Sequence, residues 1–169
     1  MIRNATMKDL DSIMVIVNQA KAIMQQDNNP QWDDNYPLQQ HFVGDIENKS
    51  LYVLDENNTV YGFVAVDQSQ AEWYDSLKWP INKNQAFVIH RLANSPNYKG
   101  GATKLFAFAL NLAKSLEVDY VLTDTFALNY RAQQLFTKFG FTKVGEATMD
   151  YFPFDKGKPF YAYYTKLKK

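Results

Sequence analysis

A basic, glycine-bearing loop at residues 99–104 carries the most chemical information in this chain. Gly100 and Gly101 follow each other there, with Lys99 and Lys104 on either side, between an apolar run and a helical pattern. Glycines lack Cβ, so the backbone can come close to a ligand, and the free N–H groups of a helix's first turn carry partial positive charge. The loop is therefore predicted to bind phosphate, although a glycine pair between a strand and a helix is also an ordinary turn.

Two side chains close to this loop in the predicted sheet could accept a proton. His90 lies on the strand that leads into the loop, and the ordinary histidine pKa of about 6.5 suits proton abstraction near neutral pH. Asp124 lies at the C-terminal end of the next predicted parallel strand, where ligands gather in α/β proteins. Each residue also has a purely structural interpretation. His90 could be a packed, hydrogen-bonded histidine, and Asp124 could cap a turn.

Hydrophobic periodicity predicts the elements that position these residues. Apolar and β-branched runs predict strands at residues 2–5, 51–54, 60–66, 86–93, 120–123, 141–151 and 160–167. Apolar residues at helical spacing predict helices at residues 10–24, 38–46, 102–116 and 129–139. Residues 67–85 are interpreted as an ordered excursion at the edge of the sheet. The expected fold is α/β (α+β), a mixed, mostly antiparallel central sheet of about seven strands with about four helices on its faces, in a single domain spanning residues 1–169.

The order of these elements resembles the GNAT N-acetyltransferase superfamily, whose members bind acetyl-coenzyme A. The resemblance is densest over residues 86–145. There, the glycine loop and its helix are followed by a strand, a helix that begins Asn129-x-x-Ala132, and a final Gly140-Phe141 junction. The resemblance implies an acetyl-CoA-dependent N-acetyltransferase that acts on a primary amine of a small molecule or on an exposed amino group.

The resemblance also implies which residues hold the coenzyme. The loop takes the place of the family's Arg/Gln-Gly-x-Gly-x-Gly/Ala pyrophosphate motif, although Lys104 replaces the last small residue. The strand before it would offer main-chain groups to the pantetheine arm. Asn129 matches a frequent coenzyme contact, and it is equally a helix N-cap. The implied cofactor-binding residues are Leu92, Ala93, Asn94, Lys99, Gly100, Gly101, Ala102, Thr103, Lys104, Asn129 and Phe136.

The general acid is where the sequence departs from the family. Many members place a tyrosine four residues before the glycine that ends the fourth helix, where it protonates the leaving thiolate, but this chain has Phe136 there. A phenyl ring cannot donate a proton, and the spacing favours none of Tyr98, Tyr130 and Tyr151 as a substitute. The alternative function is therefore a coenzyme-A-binding regulatory domain without turnover.

The amine acceptor would be held by aromatic residues in the predicted loops. Trp32, Tyr36 and Trp73 are the substrate-binding candidates, with neighbouring carboxylates for an ammonium group. Plain packing in the core or at its edge is the alternative role for such rings. The sequence leaves the acceptor open between small-molecule and peptide amines.

Composition restricts the partners. Eighteen basic residues balance eighteen acidic ones, so the chain lacks the net positive charge that drives binding to nucleic acid or to anionic membranes. It contains no cysteine, which excludes disulfides and thiolate metal sites and agrees with a reducing cytoplasm. We expect a cytoplasmic protein that needs no metal and binds neither nucleic acid nor membrane, and a homodimer stays open.

Overall fold

Seven strands form one mixed sheet in the computed structural model, which describes residues 1–168. In chain order they are β1 (Ile2–Asn4), β2 (Leu51–Glu56), β3 (Thr59–Asp67), β4 (Phe87–Asn94), β5 (Tyr120–Phe126), β6 (Thr142–Ala147) and β7 (Phe160–Lys166). Their spatial order is β1-β2-β3-β4-β5-β7-β6. The β4–β5 pair is parallel, and the other neighbouring pairs are antiparallel. The predicted mixed, mostly antiparallel sheet is confirmed.

Helices cover both faces of this sheet. They are α1 (Leu10–Gln26), α2 (Gln39–Glu47), α3 (Gly101–Ser115) and α4 (Tyr130–Lys138). Successive strand residues point to opposite faces, so Ile13 of α1 and Phe42 of α2 pack against Phe63 of β3, whereas Leu105 of α3 packs on the other side with Val64. No helix within residues 1–168 combines the length and the apolar character that crossing a bilayer requires.

The centre of the sheet opens where β4 and β5 diverge. Their parallel register runs from Phe87 opposite Val121 to Ile89 opposite Thr123 and ends there, although β4 continues to Asn94. On its other edge β4 carries a bulge, because its pairing with β3 shifts register after Ile89. A bulge bends the strand and redirects its side chains. The β4 residues beyond Ile89 therefore have main-chain groups that β5 does not use.

Three sequence predictions about boundaries are wrong. The excursion at residues 67–85 does not lie at the sheet's edge, since Tyr74 is fully buried against Val88 and Leu122 of the two central strands. The strand predicted at residues 141–151 ends at Ala147, and residues 148–159 form a loop in which Phe154 packs against Phe160 of β7. Finally, β5 continues to Phe126, which places Asp124 inside the strand and not at its end.

Candidate active site

A main cleft opens where β4 and β5 separate. Its volume is about 500 Å³, and its walls come from the C-terminal part of α1, the diverging strands, and the facing sides of α3 and α4. Several predicted site residues line it together, namely His90, Leu92, Ala93, Asn94, Ala102, Asp124, Asn129 and Phe136. The divergence of the strands thus brings together residues that are far apart in the sequence.

A smaller aromatic pocket lies beside the main cleft. Its volume is about 170 Å³, and Trp32, Tyr36 and Trp73, the predicted acceptor residues, all line it. His90 and Asp124 line both the aromatic pocket and the main cleft. The two candidate bases therefore stand at the boundary between the two cavities.

His90 is held by a carboxylate that the sequence did not reveal. Its imidazole Nε2 lies 2.6 Å from Oδ1 of Asp67, the last residue of β3. Burial pushes the pKa of Asp67 up, but the hydrogen bond and charge of His90, together with the Ser69 N–H and the charge of Arg91, hold that pKa below its ordinary value. Asp67 therefore stays ionised and orients the ring. Twenty-three residues and an irregular loop separate the pair, so no spacing rule could have found it.

Asp124, the other candidate base, is hydrogen-bonded to a buried residue, Tyr74. The Tyr74 hydroxyl donates to Asp124 Oδ2 at 2.6 Å. Burial raises the pKa of Asp124, against the opposing effects of this hydrogen bond and of the nearby His90. Burial, together with the negative charge on Asp124, raises the pKa of Tyr74 well above its ordinary value. Tyr74 thus stays protonated as a donor, and Asp124 is a carboxylate with strengthened basicity.

The glycine loop forms the N-terminus of α3, as predicted, but one glycine has a different role. Gly100 adopts φ 78° and precedes the helix, whose first backbone bond runs from the Lys104 N–H to the Gly100 carbonyl. The N–H groups of residues 101–103 lie before that bond and are left for a ligand. A Cβ on Gly101 would lie 1.9 Å from Oδ1 of Asn94. Gly101 therefore makes room for a side chain of the protein, and not only for a ligand.

The predicted lysines are not the ones that line the main cleft. Lys99 is exposed, and Lys104 donates to the Tyr98 hydroxyl at 2.7 Å on the outer side of the loop. Lys138, at the end of α4, lines the cleft and donates to Thr103 Oγ1 at 3.3 Å. Lys138 comes three positions after Leu135, which also lines the cleft, so the two residues lie on the same face of α4. This helical spacing could have identified Lys138 from the sequence.

Asn129 caps the N-terminus of α4, which is the structural role predicted for it. Its Oδ1 accepts from the Ala132 N–H at 3.1 Å, which caps α4, and its Nδ2 donates to Gln31 Oε1 at 2.7 Å. The same Gln31 oxygen accepts from Thr125 Oγ1 at 3.0 Å. Gln31, which the sequence did not single out, thereby ties the loop after α1 to the end of β5 and fixes one wall shared by both cavities.

Phe136 lies at the cleft wall within an aromatic cluster. It is 6% exposed, and its ring centroid is 5.7 Å from that of Phe106 and 5.2 Å from that of Tyr163. Of the three alternative acids, Tyr151 lines the aromatic pocket, whereas Tyr98 and Tyr130 line neither cavity. Among residues 1–168, no group of three or more histidine, cysteine, aspartate or glutamate side chains is arranged to hold a metal ion.

The contact between Gly101 and Asn94 gives a stability prediction. We expect Gly101→Ala to destabilise the protein by about 2–4 kcal/mol, because Asn94 must move and give up the bonds from its Nδ2 to the carbonyls of Ser95 and Tyr98. Gly44→Ala, in α2 with open space around it, is the control and should be neutral or stabilising. Urea unfolding of both variants measures this, and equal midpoints would contradict the steric argument.

Comparison with known proteins identifies the architecture. Residues 17–141 match the model of the acetyltransferase (GNAT) family. A protein from Staphylococcus aureus Mu50 that is classed as an acetyltransferase is 49% identical, with 99% of each chain covered and a TM-score of 0.80. A GNAT-family acetyltransferase from Streptococcus agalactiae is 25% identical, over 100% of this chain and 95% of the other, with a TM-score of 0.84.

More distant structures share the fold. A Salmonella typhimurium protein, also classed as an acetyltransferase and solved with acetyl-CoA, is 16% identical, with a TM-score of 0.69 over 100% of this chain and 94% of its own. No match was found among curated protein sequences.

Proposed function

The chain belongs to the GNAT acetyltransferase family, and from this premise we propose that it binds acetyl-CoA in the main cleft and acetylates a primary amine held in the aromatic pocket. The observation that carries the proposal is the position of His90 and Asp124, which line both cavities. A base at that boundary can reach an amine in the aromatic pocket while it faces a thioester in the main cleft, as general base catalysis requires.

The main cleft offers groups that suit coenzyme A. The free N–H groups at the start of α3 would bind the pyrophosphate, and Lys138 would add positive charge from the opposite wall. The main chain of residues 92–94, unpaired towards β5, would align the pantetheine arm. The acetyl-CoA complex of the Salmonella relative supports this choice of coenzyme at the level of the shared fold.

The proposed transfer assigns a proton path to the residues at the boundary. Acetyl-CoA supplies the acetyl group as a thioester. Asp124, whose pKa is raised by burial, accepts a proton from the ammonium group so that the nitrogen lone pair can attack the carbonyl carbon, and His90 and Tyr74 stabilise the charges around it. The C–N bond forms, the C–S bond breaks, and coenzyme A leaves as a thiolate. The thiolate takes up the second proton that the acylated nitrogen releases, and Asp124 returns the first proton to solvent.

Acetyl-CoA is expected to raise the melting temperature. A ligand that binds only the folded state adds about 2.7 kcal/mol at a concentration of 100 Kd, which is roughly 5–10 °C for a protein of this size. Acetate and NAD at the same concentration are the controls and should give no shift. Thermal scanning with titration calorimetry measures this, and an absence of acetyl-CoA binding at millimolar concentration would overturn the proposal.

Phe136 favours a second candidate function, a coenzyme-A-binding regulatory domain without turnover. The cleft wall carries the phenyl ring of Phe136 at the position where the family resemblance implies a tyrosine acid. Release of free thiol from acetyl-CoA in the presence of a broad panel of amines distinguishes the two candidates. Tight binding without any amine-dependent thiol release would favour the regulatory domain.

A further inference from the structure

We propose that the acceptor is a primary monoamine with one compact aromatic body, as in an arylalkylamine. This inference rests on the proposed function and adds the chemical class of the acceptor. It is argued from the shape, the walls and the charges of the aromatic pocket.

The walls of the aromatic pocket are contiguous rings. Phe154 lies at their centre, with ring centroids 4.9 Å from Tyr36, 5.7 Å from Tyr151 and 6.1 Å from Phe160. Trp73 continues the wall, 6.4 Å from Phe160. Such spacings are typical of edge-to-face and tilted aromatic contacts, and an incoming ring would find the same geometry.

The volume of the pocket limits the acceptor to about one ring with a short tail. The pocket measures about 170 Å³, and an engineered protein cavity of about 150 Å³ is known to bind benzene. The loop at residues 148–159 closes one side of the pocket through Met149, Tyr151 and Phe154, so an acceptor larger than about one ring would have to extend beyond the pocket. That loop is anchored, since Lys156 forms an ion pair with Asp33, which also removes Asp33 as a partner for an acceptor ammonium.

The charges in the pocket suit a single ammonium group. Among the described residues that line it, Asp124 is the one carboxylate. Arg91 also lines it, but its guanidinium donates to the Tyr36 hydroxyl at 2.8 Å and is paired with Asp45. A second ammonium would find no second carboxylate among these described residues of the pocket. Because Asp45 balances the charge of Arg91, an acceptor carboxylate would find no free cation among them and would face Asp124. Polyamines and amino acids are therefore disfavoured.

The surroundings of Tyr151 add attraction for a cation. Burial raises the pKa of Tyr151, and the negative charges of Glu72, Asp124 and Asp150 raise it further. Tyr151 lines the aromatic pocket and is 51% exposed. Negative charge at an exposed pocket wall raises the local concentration of any cationic acceptor, so this feature favours an ammonium group without selecting among amines.

The experiment compares amines and two matched variants of the full chain. Thiol release from acetyl-CoA is measured with 2-phenylethylamine, ethylamine, spermidine, phenylalanine and a short peptide with a free N-terminus. We expect kcat/KM for 2-phenylethylamine to exceed that for each other amine by at least about tenfold. The missing ring accounts for this against ethylamine, the unmatched second charge against spermidine and phenylalanine, and size against the peptide. Phe154→Ala should raise the KM for 2-phenylethylamine about tenfold and the KM for ethylamine much less. Phe152→Ala, in the same loop but 70% exposed, is the control and should change neither.

The outcomes separate this inference from the proposed function. Efficient acetylation of spermidine, phenylalanine or the peptide, with 2-phenylethylamine inert, would overturn the acceptor class and leave the transferase proposal standing. Equal effects of Phe154→Ala on 2-phenylethylamine and on ethylamine would show that the ring is not bound in this pocket, which also overturns the inference. Absence of acetyl-CoA binding by calorimetry would overturn both.

Discussion

Asp124→Asn is expected to lower kcat by about 10²–10⁴-fold, the usual contribution of a general base, without changing the Kd for acetyl-CoA. The amide has the shape of the carboxyl group and can still accept the hydrogen bond from Tyr74, so the variant removes proton acceptance and little else. Steady-state thiol release measures kcat, and calorimetry measures the Kd. A kcat within about threefold of the parent, well below the usual contribution of a base, would exclude Asp124 from this role.

The pH profile identifies which of the two candidates is the base. Burial raises the pKa of Asp124, so kcat/KM of the parent should fall with decreasing pH at an apparent pKa above the ordinary aspartate range. Asp124→Asn should lose this acidic limb. His90→Gln should keep the limb with its midpoint at higher pH, because His90 lowers the pKa of Asp124 in the parent. If the limb disappears in His90→Gln instead, the imidazole that Asp67 orients is the base.

The raised pKa of Asp124 also predicts that Asp124→Asn stabilises the protein in the absence of ligand. A carboxyl whose pKa is higher in the folded state binds more protons there than in the unfolded chain. Its contribution to stability is therefore present below the unfolded pKa of about 3.9 and is lost as the pH rises through the folded pKa. At pH 7–8 the partly buried, charged carboxylate of Asp124 lowers the stability of the folded state, and an uncharged amide at this position does not. We expect a higher melting temperature for Asp124→Asn at that pH, by about 2–4 °C for each kcal/mol recovered, and a smaller gain in acid.

Local patterns predicted the parts of the site that depend on local structure. The strand into the glycine loop, the N-terminus of α3 and the cap at Asn129 each follow from a few adjacent residues, and the structure has all three. The neighbours of the candidate bases do not follow in this way. Tyr74 meets Asp124 across 50 residues, because an irregular segment folds over the sheet, and no periodicity encodes where such a segment lies.

Glycine placement shows the same limit. The pair at Gly100 and Gly101 predicted a turn at which a ligand comes close to the backbone, and Gly100 does adopt a positive φ. At Gly101 the approaching group is the side chain of Asn94, from the end of β4. A sequence can indicate that a Cβ is excluded, but what excludes it depends on the tertiary packing of strand against helix.

Phe136→Tyr is expected to raise kcat, up to about 10²-fold with a suitable amine, the lower end of the range for a positioned general acid. The leaving group is a thiol, whose pKa by analogy with free cysteine is about 8.5, so departure without a proton is tolerable near neutral pH and the parent should turn over slowly. The added hydroxyl can supply that proton because Phe136 lines the main cleft, from within the cluster of Phe106, Phe141 and Tyr163. Affinity for acetyl-CoA should not change.

Phe139→Tyr provides the matched control for this gain. Phe139 also contacts Phe106 but does not line the main cleft, so its hydroxyl should leave kcat unchanged. If Phe136→Tyr also leaves kcat unchanged while Tyr151→Phe abolishes turnover, the proton comes from the aromatic pocket, where Tyr151 lies. If neither the parent nor Phe136→Tyr acetylates any amine although both bind acetyl-CoA tightly, the missing acid is not what limits the reaction. The regulatory-domain alternative would then replace the transferase, because a restored proton donor and a bound thioester would be present without transfer.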